Sequence, residues 1–154
     1  MEIIPHRGTF VTRFTSASIH DLFELRRAVE PRVAELASQR RSLSSLKCLQ
    51  ATLSWNSSGS NQTRSQTKWV DKKFHVELSR LTHNRELADV VERLHEKFVR
   101  LVAFVSLARS DGYPFQPLHE EIVRAVRDGA AWQARGAMEK DISDNLRWIE
   151  NLRP

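Results

Sequence analysis

Four polar side chains stand where a helical pattern calls for apolar ones. Asp71 and His75 are four residues apart in WVDKKFHVELSRL, so on a helix they project from one face beside Leu78. His119 opens the stripe Ile122, Val123, Val126, and Asp141 falls between Met138 and Asn145 on the inward edge of a later helix. Burying such groups without partners costs kilocalories. Neutral imidazole and ionised carboxylate are standard ligands of divalent ions, and a helical bundle can aim them at one centre. One divalent ion would therefore satisfy Asp71, His75, His119 and Asp141 together. Each residue also has a plainer role: a histidine on an apolar face is commonly a hydrogen-bonded core residue, and an Asp–His pair at this spacing a surface bridge. His95, one step off the apolar stripe of its helix, is read as a surface or flanking residue, as are His6, His20 and His83.

The elements that must position these groups are helices. Five glycines and five prolines punctuate the chain, and apolar residues between them recur at three and four, not two. The first helix is expected from Ser18 or His20 to about Arg41, with Leu22, Leu25, Val29, Val33 and Leu36 inward and a kink at Pro31. A second covers about Leu43 to Trp55, with Leu46, Leu49, Gln50 and Leu53 spaced for it, before a polar loop over Asn56 to Thr67. The third spans about Lys68 to Thr82, with Val70, Phe74, Leu78 and Leu81 inward; Asn84 then caps a long fourth helix to about Arg109. DGYP at 111–114 breaks the chain. A fifth helix from Gln116 stops at Gly129, and a sixth runs from about Ala131 to Asn151. The expected fold is all-α, an antiparallel bundle of six to seven helices.

Composition narrows the setting. The chain has 154 residues, a size for one domain, with 40% hydrophobic and 28% charged residues, a soluble globular balance. No apolar run approaches the roughly 20 residues of a membrane span, and the N-terminus lacks a secretory pattern, so a cytoplasmic location is expected. The single cysteine, Cys48, rules out an internal disulfide or a thiolate-rich zinc site and is expected to pack on a helix. The net charge of +5 comes from 24 basic residues scattered among 19 acidic ones, the pattern of a solvated helical surface rather than a nucleic-acid patch.

Three segments, DLFELRRAVEPRVAELA at 21–37, DKKFHVELSRLTHN at 71–84 and HEEIVRAVRDGAAWQARGAMEKDI at 119–142, resemble the C-terminal domain (FCD) of FadR-type regulators in the GntR superfamily. The resemblance runs from about Ser18 to the end. It implies a dimerising six- or seven-helix bundle that binds a small, often carboxylic, effector over a metal ion, with the ligands on Asp71, His75, His119 and position 141. The family usually places histidine in the segment reading MEKDI here. Asp141 makes the set harder and more anionic, leaving Zn, Ni and Mn as candidate ions. IIPHRGTFV at 3–11 resembles the wing strand closing a winged-helix domain, so residues 1–17 are expected to be a remnant of wing and linker and 18–154 the sensor. Operator DNA would then be reached only through a winged helix largely absent from this sequence, as in a fragment, a truncated reading frame or a protein acting without DNA.

The function expected is effector sensing in a homodimeric transcription regulator, without catalysis. Two alternatives remain at this point: a metal-dependent hydrolase, since an open coordination position can activate water, and a DNA-binding-deficient partner of an intact regulator. Arg26, one turn after Leu22, is the first candidate for the effector carboxylate, because a guanidinium forks onto two oxygens; Asp71, Asp141 or the intrahelical Glu30 could equally claim it. Arg100 is the second, on a stripe mixed with Arg93, Lys97 and Phe104.

Overall fold

A computed structural model of the chain describes residues 14–57, 64–106 and 116–151, which form six helices. They are α1 (Ser16–Arg40), α2 (Leu43–Ser57), α3 (Arg64–Arg80), α4 (Arg85–Ser106), α5 (Gln116–Asp128) and α6 (Ala131–Glu150). No strand occurs among the described residues, and the helices pack as the expected antiparallel bundle. The wing-like stretch at 3–11 and the DGYP break lie outside the described residues. No helix among those described is long and apolar enough to cross a membrane.

Local chemistry sets the boundaries. Thr15 caps α1: its hydroxyl accepts from Ser18 N at 3.1 Å while Ser18 Oγ accepts from Thr15 N at 2.9 Å, so the helix opens earlier than Ser18. It continues through Pro31, which is itself buried, to Arg40. The α3–α4 corner turns at His83, with φ of 52°, and Asn84 Oδ1 then accepts from Leu87 N at 3.2 Å as the expected cap. Gly129 ends α5 at φ of +72°, where a Cβ would also meet the Arg41 guanidinium at 2.6 Å. Arg41 in turn donates from Nε to Arg127 O at 2.9 Å, tying the end of α1 to the α5–α6 corner. The polar stretch expected as a loop is shortened at both ends, since α2 reaches Ser57 and α3 starts at Arg64. Weak helix propensity does not stop a helix whose neighbouring turns are held by packing.

α1 is the hub, packing against α3, α4, α5 and α6, while α3 pairs with α4 and α5 with α6. The core gathers Phe23, Leu49, Phe74, Leu78, Phe98, Leu101, Ile122, Met138 and Ile142. On α1 the buried residues include Ile19, Leu22, Phe23, Arg26, Glu30, Val33, Ala34, Leu36 and Ala37: Leu22, Val33 and Leu36 are inward as expected, Val29 is half-buried, and the buried face widens to take in Arg26 and Glu30 while leaving Leu25 out. Leu25 is consequently 45% exposed, because it lies on the flank that α3–α6 leave uncovered. Gln50 and Cys48 likewise face solvent on α2, whose buried edge is Leu46, Leu49 and Thr52.

Candidate metal centre

The buried face of α1 carries Arg26 and Glu30 into the middle of the bundle. There they meet Asp71 and His75 from α3, His95 from α4, His119 from α5, and Asp141 and Asn145 from α6. All eight are buried, none exposing more than 3% of its surface. So many ionisable groups in one core need mutual compensation or a cation.

Asp71, His75, His119 and Asp141 converge as their spacing predicts. Asp71 Oδ1 lies 3.7 Å from His75 Nε2 and 3.4 Å from His119 Nε2. Asp141 reaches 3.8 Å from His75 Nε2 through Oδ2 and 3.8 Å from His119 Nε2 through Oδ1. Ligands about 2.1–2.3 Å from a common tetrahedral ion stand roughly 3.4–3.8 Å apart, so these separations match a coordination shell and exceed good hydrogen-bond lengths. Asp71 Oδ1, His75 Nε2 and Asp141 Oδ1 are buried without a hydrogen-bond partner. Unpaired buried acceptors turned toward one point fit a cation. Asp71, His75 and His119 therefore could hold a metal ion together, with Asp141 within 3.8 Å of both imidazoles.

A second layer of side chains surrounds these candidate ligands. Glu30 Oε2 is 2.7 Å from His75 Nδ1 and 3.0 Å from His95 Nε2, while Glu30 Oε1 accepts from Arg26 Nε at 2.5 Å. Glu30, His75 and His95 also have the residue types of a metal group. Their 2.7 and 3.0 Å separations, an ion-pair contact to His75 and a hydrogen bond to His95, are shorter than ligands of a tetrahedral ion stand apart, so Glu30 sits behind His75. Arg26 Nη2 lies 3.7 Å from Asp141 Oδ2, and Asn145 Nδ2 donates to the same oxygen at 3.1 Å. Aromatic packing fixes the rings: His75 stacks on His95 with centroids 4.1 Å apart, His119 on Phe74 at 3.9 Å, and the Arg26 guanidinium lies 4.2 Å above Phe98.

Electrostatics follow from this crowding. Burial opposes ionisation of Glu30, yet Arg26, His95 and His75 hold it well below its usual range. Asp71 is likewise held at about 2 against burial, chiefly by the neighbouring His75 and the charge on its imidazole. His75 is raised to about 10 because Glu30 and Asp71 outweigh its burial. His95 and His119 fall to about 4 and about 3 through burial and the neighbouring His75 charge. Burial lifts Asp141 to about 7 despite the pull of His75 and Arg26. The cluster thus spreads its pKa values widely, as groups competing for too few counter-charges do.

One expectation needs correction. His95 is fully buried: with Val91, Leu94, Phe98, Leu101 and Val102 it continues a three-and-four spacing that could have marked it as inward. Arg100 stays outside the cluster because it lies about opposite that stripe; it is exposed and joins Lys97 and Phe14 around an open outer groove of about 530 Å³. Arg26 is inward as expected and closes on Glu30, the intrahelical partner its sequence offers.

An all-helical bundle enclosing a metal-type ligand set defines the class of protein. The chain belongs to the FCD domain family, whose model matches residues 21–144. FCD domains are the effector-binding domains of GntR-type transcription regulators, which gives this chain an effector-sensing, regulatory role. Among solved structures it is similar to E. coli McbR/YncC, with a TM-score of 0.75 and 13% identity over 97% of this chain and 72% of that one. It is also similar to Streptococcus agalactiae GntR, with a TM-score of 0.66 and 20% identity over 97% and 73% of the two chains. No curated protein sequence matches it.

Proposed function

We propose that this chain is a metal-centred sensor: Asp71, His75, His119 and Asp141 hold a divalent ion, and a small organic effector completes its coordination. The supporting observation is the 3.4–3.8 Å convergence of four buried ligand groups from α3, α5 and α6. When bound, the ion supplies a Lewis-acidic anchor for a donor atom of the effector. Two carboxylates with two imidazoles make a fairly hard set, which keeps Mn beside Zn and Ni as the candidate ions. Glu30 and His95 orient His75, and Arg26 and Asn145 orient Asp141, so the ligand shell is braced through α1 and α4. Effector occupancy then favours one of two arrangements of a homodimer and so alters operator binding by an attached winged helix.

Metal analysis and thermal melting of the full chain, before and after exhaustive chelation, test this reading. An ion at a hundredfold excess over its dissociation constant stabilises the fold by about 2.7 kcal/mol, so stripping it lowers the melting temperature and reloading restores it. Unchanged melting and no uptake of Zn, Ni, Mn or Co would refute the metal centre.

A further inference from the structure

The charges within the braced site bear on which effector it admits. Glu30, Asp71 and Asp141 bring three carboxylates, each no more than 2% exposed, and Arg26 brings one guanidinium, fully buried. With the imidazoles neutral as ligands or ring stacks, a divalent ion balances this set completely. An added carboxylate would leave a net negative charge in a buried, low-dielectric core, where an uncompensated charge is costly. The guanidinium does not offset it. Arg26 is already engaged by Glu30 Oε1 at 2.5 Å, by Asp141 Oδ2 at 3.7 Å and by the face of Phe98 at 4.2 Å.

We infer that the effector coordinates through an uncharged oxygen donor, an amide or hydroxyl group of a neutral molecule, and that Asp141 and Glu30 together set this preference. The inference rests on the metal-centred reading and departs from the carboxylate that the family resemblance implies. Asp141 acts as a ligand that also carries charge; Glu30 acts without touching the ion, through His75 and Arg26. Either carboxylate, once neutralised, frees one unit of positive charge for an anion.

The test uses the full chain loaded with Co(II), whose visible absorption reports its ligands, titrated with the matched pair glycolamide and glycolate. Parent protein should favour glycolamide about tenfold, the order of one charge's worth of discrimination across a screened, partly polar site. Asp141→Asn and Glu30→Gln should each bring that ratio to parity or invert it. The ratio is read rather than either affinity, because a vacated ligand position helps both probes alike. Glu30→Gln leaves all four ligands in place and serves if Asp141→Asn folds poorly. Glycolate binding as well as glycolamide in the parent, no spectral response to either probe, or a ratio that neither variant moves would overturn the inference. Failure of the parent to bind Co(II) would instead overturn the metal centre itself.

Discussion

Glu30 Oε2 lies 2.7 Å from Nδ1 of His75, on the side of the imidazole opposite the nitrogen facing Asp71 and Asp141. A carboxylate there holds a proton on Nδ1 and presents the Nε2 lone pair to the centre of the site. In the proposed metal centre α1 supplies no ligand, yet through Glu30 it bears on the orientation of one.

Glu30→Gln should therefore weaken metal affinity about 10–100-fold, the usual cost of losing a partner behind a ligating histidine. Competition with a chelating dye measures it. Affinity within twofold of the parent would show that His75 is oriented without Glu30.

Arg26 carries the only guanidinium in the described core, and removing it leaves Glu30 and Asp141 short of a counter-charge. Arg26→Met should cost about 3–5 kcal/mol, as breaking a buried pair does. Denaturant unfolding of the metal-free chain reads this. Arg26→Lys, which keeps the charge but not the planar fork over Phe98, should lose less.

Stability of the metal-free protein should peak near pH 6.5. His95 and His119, lowered to about 4 and about 3, take up protons more readily unfolded, so their contribution is lost as pH falls from 6.5 toward those values. Asp141, raised to about 7, opposes them over part of that range, because the folded form holds its proton and that contribution fades as pH rises through 7. Two histidines against one aspartate leave a net loss on the acid side. Above 6.5 the sign reverses: His75, raised to about 10, is more protonated when folded, and its contribution disappears as pH climbs through 10. Asp71, held at about 2, adds a further loss below pH 4. Melting temperatures across pH 4–10 should trace this dome, and metal loading should flatten it by replacing protons in the cluster.

Asp141→His exchanges a carboxylate for an imidazole at ligand distance from His75 and His119. Relative affinity should shift toward Zn and Ni over Mn and Mg, following ligand softness. Metal competition on both proteins decides it; an unchanged order would mean residue 141 does not reach the ion.

The burial pattern also makes a packing prediction. Leu78→Ala, at a fully buried site, should cost about 2–5 kcal/mol, whereas Leu25→Ala, 45% exposed, should fall within about 0.5 kcal/mol of the parent. Paired urea titrations compare them.

The amino-acid sequence alone determined the helices and which candidate metal ligands face inward, because both follow from a period of 3.6. Asp71 and His75 share a face by their spacing of four, and His119 and Asp141 head or join apolar stripes whatever those stripes pack against. Tertiary structure decided the layer behind them. α1 presents Arg26 and Glu30 inward rather than Leu25, because four other helices surround it and choose which flank is covered. His95 became the stacking partner of His75 only when α4 was laid against α3. Helical periodicity fixes which residues share a face, but the rotation of each helix about its axis is a property of the whole packed core. That rotation also placed three carboxylates and one guanidinium around the same point, and so set the charge of the site.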